Sequence, residues 1–229
     1  MKKIGRIALG MLLVSMAFQG CKSHPEKGLL DRYFNAISLN DVTTMSTMAV
    51  DPIRIDFSSW KIVSVSEEKI VPATLPDLNA TELDLKKQLE QHVGPTLDAK
   101  DALDVAKDEY TGARSAAARA AAKAKMDAAQ TKYDEEYKLH QDLQRRYNET
   151  KAAASKEEEI TNFSLGAGQL PNIRDLKGNI HSKVLEVEVI QKDGQAKKYQ
   201  IMMMMYRLKD EVTSVSHNGR WVITRFETL

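Results

Sequence analysis

Cysteine is nearly absent from this chain. Cys21 is the only one in 229 residues, so no internal disulfide can form. Aromatic residues are also few, at 6%, and no basic stretch has them interleaved, which excludes the usual footprint of a nucleic-acid binder. Neither sign of charge dominates, with 33 Lys and Arg against 32 Asp and Glu. The N-terminal apolar segment, Ile7 to Phe18, falls short of the roughly 20 residues that a bilayer-spanning helix needs. The five histidines, His24, His92, His140, His181 and His217, have no metal-ligand spacing with one another or with paired carboxylates. Glycine-rich phosphate loops and nucleophile elbows are missing too. Ser58-Ser59-Trp60-Lys61 has a Ser-x-x-Lys spacing, but it falls in a predicted strand without the accompanying motifs. No catalytic, cofactor-binding or metal-binding residues are therefore expected, and the chain reads as non-enzymatic.

What is present begins at the N-terminus. Lys2, Lys3 and Arg6 precede the apolar segment, which has the length of a secretory h-region. It ends in Phe18-Gln19-Gly20-Cys21, and this run resembles a bacterial lipoprotein signal. Gly20 and Cys21 fit that pattern, whereas Phe18 and Gln19 depart from its aliphatic and small preferences. The resemblance implies removal of residues 1–20, diacylglycerol attachment to Cys21, and a tether over residues 21–27. A lone thiol in an oxidising compartment is a liability, whereas a thioether is inert, so the cysteine count agrees. An ordinary cleaved signal, or an N-terminal buried helix, is the other reading. Without residues 1–20 the basic count falls to 30 against 32 acids, and formal charge moves from +1 to −2. Lys22 lacks the acidic retention residue known in some bacteria, which favours the periplasmic face of the outer membrane over the inner membrane.

Residues 80–159 are dense in Ala, Lys, Glu, Asp, Gln and Leu, with one proline. Leu85, Leu89, His92, Thr96, Ala99, Leu103, Ala106 and Tyr110 recur at alternating four- and three-residue steps, the spacing of a coiled-coil seam. A second seam follows: Ala122, Met126, Ala129, Tyr133, Tyr137, His140, Leu143 and Tyr147. Gly112 between them suits a left-handed helix cap, and Ser115 suits the N-cap of a second helix. Residues 98–110 carry net charge −3 and residues 114–125 carry +4, so folding back at Gly112 sets opposite charges side by side. That register places Ala106 opposite Ala120, Ala99 near Met126, His92 near Tyr133 and Leu89 opposite Tyr137. Gly94-Pro95 predicts a kink or short break, re-capped by Thr96. The alternative is a helix to Val93, a turn at Gly94-Pro95, and then one helix of about 60 residues.

The flanks read differently. Leu29, Leu30, Tyr33, Phe34 and Ile37 share one face of a helix over Pro25 to Ile37, and a short helix follows over Val42 to Met48. Ile53 to Ser66 alternates like a strand, with Ile53, Ile55, Phe57, Val63 and Val65 on one side and Trp60 and Ile62 on the other. Val184 to Gln191 and Ala196 to Leu208 read as strands around Asp193-Gly194, a type I′ hairpin signal. Asn218-Gly219 marks a turn before a last strand, Arg220 to Glu227. Met202 to Met205 lies inside a strand, so both faces of that strand must be covered, by the N-terminal helices and by the root of the helical segment over residues 80–159 or a second copy.

The first helix with Asn40-Asp41, the strand Trp60-Lys61-Ile62-Val63 and the closing Asn218-Gly219-Arg220-Trp221-Val222-Ile223 resemble the nuclear transport factor 2-like superfamily, a cone of curved antiparallel sheet around N-terminal helices. The expected fold is α+β: a curved antiparallel sheet with N-terminal helices, over residues 28–78 and 159–229, interrupted by a two-helix coiled coil over residues 79–158. Enzymes of that superfamily use an acid and a tyrosine inside the cone, a role that Tyr33, Asp41 or Asp56 would fill. Asp41 reads instead as a helix cap and Asp56 as part of a polar strand face. The expected function is that of a lipid-anchored envelope protein binding another protein or itself through residues 80–158. The alternative is a small-molecule binder or enzyme that uses the cone interior.

Overall fold

The computed structural model describes residues 25–166, 168 and 170–229. Cys21, the apolar segment before it and His24 lie outside the described residues. Helix α1, Pro25–Ser38, buries Leu29, Leu30, Tyr33, Phe34 and Ile37, the expected apolar face. It stops where Asn40 takes a left-handed conformation, φ 52°. Helix α2, Val42–Met45, is capped by Asp41, whose carboxylate accepts the Thr44 N–H at 3.0 Å.

Six antiparallel strands form one curled sheet. The two long central strands are β3, Lys177–Ile190, and β4, Ala196–Lys209, paired along their whole length. Strands β1, Ser59–Val65, and β2, Lys69–Pro72, lie one after the other along the outer edge of β3. Strands β5, Ser216–Asn218, and β6, Val222–Thr228, do the same along β4.

The expected strand from Ile53 starts only at Ser59, and this moves its apolar residues. Ile55 and Phe57 pack on the core together with Trp60 and Ile62, while Val63 and Val65 are exposed. Alternation slips by one at Ser58-Ser59, and the pairing with β3 is irregular at Val63. The β3–β4 turn is not type I′, because Gly194 has φ 84° and Asp193 is not in the left-handed region. Instead Gly194 N–H donates to Gln191 O at 3.0 Å, the geometry of a type I turn closed by a left-handed glycine. Asn218-Gly219 closes no hairpin either; Gly219 N–H donates to Tyr206 O at 2.7 Å and keeps the chain against β4.

Side chains alternate across a strand, and here both faces are used. Leu185, Val187, Val189, Tyr199, Ile201 and Met203 point to one face, under α1 and α2. Ile180, Tyr206 and Leu208 point to the other, where they meet Leu75, Ala154, Ile160, Ile173 and Leu176. Leu75, Ala154 and Ile160 belong to two long helices, α3, Leu75–Gly112, and α4, Ala116–Leu165. The root of the helical segment thus supplies the second cover that the methionine run required.

Pro95 does not interrupt α3, which also rules out a turn at that point followed by one 60-residue helix. Proline removes one intrahelical donor, but Gly94 before it has no Cβ to meet the ring, and the Thr96 hydroxyl donates to His92 O at 2.9 Å. Gly112 is not a left-handed cap. It is the last helical residue of α3, and Ala113 leaves the helix in an extended conformation, φ −71° and ψ 119°. Ser115 does cap α4, accepting the Ala118 N–H at 3.1 Å.

Candidate functional site

Between residues 83 and 110 of α3, the only residues withdrawn from solvent are Leu85, Leu89, His92, Thr96, Ala99, Leu103, Ala106 and Tyr110, the whole predicted seam. On α4, Ala122 and Leu143 are buried and Met126, Ala129, Tyr133, His140 and Tyr147 half-buried, while Tyr137 is 44% exposed. Glu136 takes the inward place next to Tyr137, because its carboxylate meets His92 Nε2 at 3.0 Å. The Arg119 guanidinium lies over the Tyr110 ring, and Lys125 bonds Glu109 at 2.9 Å. Partners lie further apart in sequence with distance from the turn, so the two helices run in opposite directions. His92 meets Glu136 and His140 rather than Tyr133, its ring 6.2 Å from that of His140; the register is displaced by about one turn from the expected one. The turn centres on Ala113-Arg114 instead of Gly112, which accounts for part of the displacement.

Contacts that tie these helices to the sheet come from their roots. Arg174 bridges Glu82 of α3 at 2.8 Å and Glu158 of α4 at 2.7 Å, and these bonds hold its guanidinium above the ordinary arginine range. Burial, with the Glu157 carboxylate alongside, raises the pKa of Tyr206, whose hydroxyl donates to Glu157 at 2.8 Å. Ser164 stitches the end of α4 to β4 and to the connection between β5 and β6: its Oγ accepts the Tyr206 N–H and donates to Arg220 O. Beyond the roots, from Leu83 to Gly112, α3 continues for about 45 Å at 1.5 Å per residue. Its outer surface exposes Leu83, Val93, Leu97 and Val105, at 59, 44, 54 and 60%.

A different kind of site lies on the α1 side of the sheet. A half-open cavity of about 460 Å³ is lined chiefly by Leu29, Met48, Met205 and Trp221, with Arg32 and Arg220 among its walls. Beside it sits a chain of charges in which Glu26 and His181 are buried and Lys183 half-buried, while Glu68 reaches the surface. Lys183 Nζ is 3.3 Å from Glu26 and 3.9 Å from Glu68, and it lies over the Trp221 ring. His181 Nδ1 meets Glu68 at 2.5 Å. Each of these bonds joins one element to another, so the cluster ties α1 and the segment before β2 to β3. The rest of this face is filled: Tyr33, Phe34, Met45, Ile201 and Met203 are all 0–1% exposed.

No known protein family model, curated protein or solved structure matches this chain. Assignment therefore rests on the geometry.

The acids and tyrosine considered for a cone-interior site are not brought together. Tyr33 is buried, which raises its pKa, and its hydroxyl accepts the Ile53 N–H at 3.0 Å. Asp41 caps α2, and its bonds with Thr44 hold its carboxyl below the ordinary range. Asp56 is exposed and pairs with Lys192 at 3.0 Å. Ser58 donates to Ile190 O while Lys61 pairs with Glu188, so the Ser-x-x-Lys spacing assembles nothing. His217 lies in β5, opposite Leu208. Among the described residues no group of three or more His, Cys, Asp or Glu is placed to hold a metal ion. Sequence reasoning missed the Lys183 cluster and the Arg174 clamp, because their members are separated by up to 157 positions. The one local signal was His181 and Lys183 on the strand face that otherwise carries Leu185, Val187 and Val189.

Proposed function

We propose that this is a lipid-anchored, non-enzymatic protein of the bacterial cell envelope, held by Cys21 on the periplasmic face of the outer membrane. A small nuclear transport factor 2-like domain carries α3 and α4 as a coiled-coil hairpin that binds a protein partner. One observation carries this reading: the helices expose apolar side chains along α3 while burying mainly alanine against each other near the tip. At about 25 cal/mol per Å² an alanine seam stabilises far less than a leucine one, so the hairpin is poorly explained as a stabilising element. The side of the sheet under α1 and α2 is packed with aromatic and methionine side chains, which leaves little interior for chemistry.

Deleting residues 83–153 and joining the stubs with a short linker retains Glu82, Ala154, Glu157 and Glu158 at the root. The shortened protein is expected to fold and reach the envelope but to lose its envelope contacts in cross-linking. A folded deletion that keeps every contact removes the hairpin as the binding element. The alternative reading, a small-molecule site on the cone, has the 460 Å³ cavity in its favour, since that volume falls within the range of ligand pockets.

A further inference from the structure

Beside the seam that faces α4, helix α3 carries a second stripe with the same alternation of three and four residues: Leu83, Lys86, Glu90, Val93, Leu97, Lys100, Asp104 and Lys107. All eight are exposed. A helix with one buried seam and a second heptad stripe beside it has the pattern of a helix with two partners, and α4 occupies only one of them.

The order of residues along this stripe specifies the other. Turned end for end about a point at Pro95, the stripe falls on itself: Val93 meets Leu97, Glu90 meets Lys100, Lys86 meets Asp104, and Leu83 meets the stem of Lys107. Charges of opposite sign face each other in both polar layers, and the two apolar residues fall at the centre. Within one chain Lys86 already lies 3.9 Å from Glu90, and Lys100 lies 3.3 Å from Asp104. End-for-end pairing would close these four residues into a ring of alternating charge, once on each side of the centre. Gly94, next to the crossing point, has no neighbouring atom within 4 Å of where a Cβ would stand, so another helix has room to approach there.

We infer that α3 pairs antiparallel with α3 of a second copy of this chain, about a twofold axis at Gly94-Pro95. The inference rests on the reading of the helix pair as an interaction element and names its partner. An antiparallel, isologous contact is self-limiting, so it gives a dimer and no filament. Its apolar centre is only two Val and two Leu, so the contact is weak in solution; tethering both copies to one membrane raises their effective concentration.

Sedimentation equilibrium of the full chain in detergent, at about 100 µM, is expected to show a reversible dimer, as suits a small interface. Lys86→Glu and Asp104→Lys each turn two attractive layers per dimer into repulsive ones, and each is expected to weaken the dimer by at least about tenfold. Combining them restores opposite charges across the interface and is expected to recover dimerisation. The rescue is diagnostic, because inside a single chain the combined variant sets like charges side by side, two acids at positions 86 and 90 and two lysines at positions 100 and 104. Any effect on the helix itself therefore accumulates instead of cancelling. Leu97→Asp, at an exposed position, is expected to give a folded monomer. A wild-type chain that stays monomeric, or a combined variant no better than the single ones, overturns the pairing. A monomer whose envelope contacts still disappear on deletion of residues 83–153 would overturn only this inference, leaving the binding role of the hairpin intact.

Discussion

Two glycines show how differently the same residue type is used. Gly219 sits where an added Cβ would collide with the Ser164 side chain and come within 2.9 Å of Tyr206 O. Both groups belong to the stitching between α4 and the sheet, and the second is main chain that cannot move aside. Gly219→Ala is expected to destabilise the protein by about 1–3 kcal/mol, the usual cost of overpacking. Gly112 has open space around it and no positive φ, so Gly112→Ala is expected to raise stability by up to about 1 kcal/mol by removing helical glycine. Urea midpoints of the two variants check both signs. From sequence alone the two look reversed, since Gly112 lies where a helix must end and Gly219 follows an asparagine as turn glycines do. The distinction depends on Ser164, 55 positions away in sequence from Gly219, and no local pattern encodes it.

Among elements, the helices were legible and the short strands were not. The α3 seam repeats eight times, and one misplaced residue would not hide it. On α4 one position differs from the expected seam, Glu136 in place of Tyr137, because the contact of its carboxylate with His92 Nε2 crosses between helices and outweighs the apolar preference of a seam. Strands β2 and β5 hold four and three residues and exist because β3 and β4 run 14 residues each, longer than β1 or β6 alone can flank. A strand defined by its neighbour's length has little signature of its own. The inversion of Trp60 and Val63 has the same origin, since alternation survives a one-residue slip in appearance while every side chain changes face.

The attachment of α3 to α4 at the root was equally illegible, because Arg174 lies outside both helices. Its two carboxylate partners, Glu82 and Glu158, let it hold both helices at once. Arg174→Met keeps much of the packing volume and removes both ion pairs. It is expected to cost about 1.5–3 kcal/mol, the range for hydrogen bonds to charged groups that are partly withdrawn from water. Hydrogen exchange is expected to rise around residues 79–82 and 156–160, with β3 and β4 unchanged. A uniform rise across the sheet would mean that the root and the first core unfold as one unit.

At the scale of the molecule, the sheet carries a core on each face, one closed by α1 and α2 and the other by the roots of α3 and α4. The methionine run announced that two covers were needed, because four large apolar residues in a row must point both ways. The curled antiparallel sheet and the long helical segment could be anticipated in outline; the register between the helices could not, because it follows from where the turn centres. The proposed function was less legible still, since a helix surface that binds a partner leaves no motif.

The proposal at the centre of this account is binding through the helices and not through the α1 side of the sheet. Photo-crosslinking residues placed singly at Leu97, on the outer stripe of α3, and at Met48, in the cavity wall, test it directly in cells that produce the full chain. Adducts of the chain with itself from position 97, and none from position 48, are the expected result. Adducts from position 48 with position 97 silent would contradict the account and place binding at the cavity.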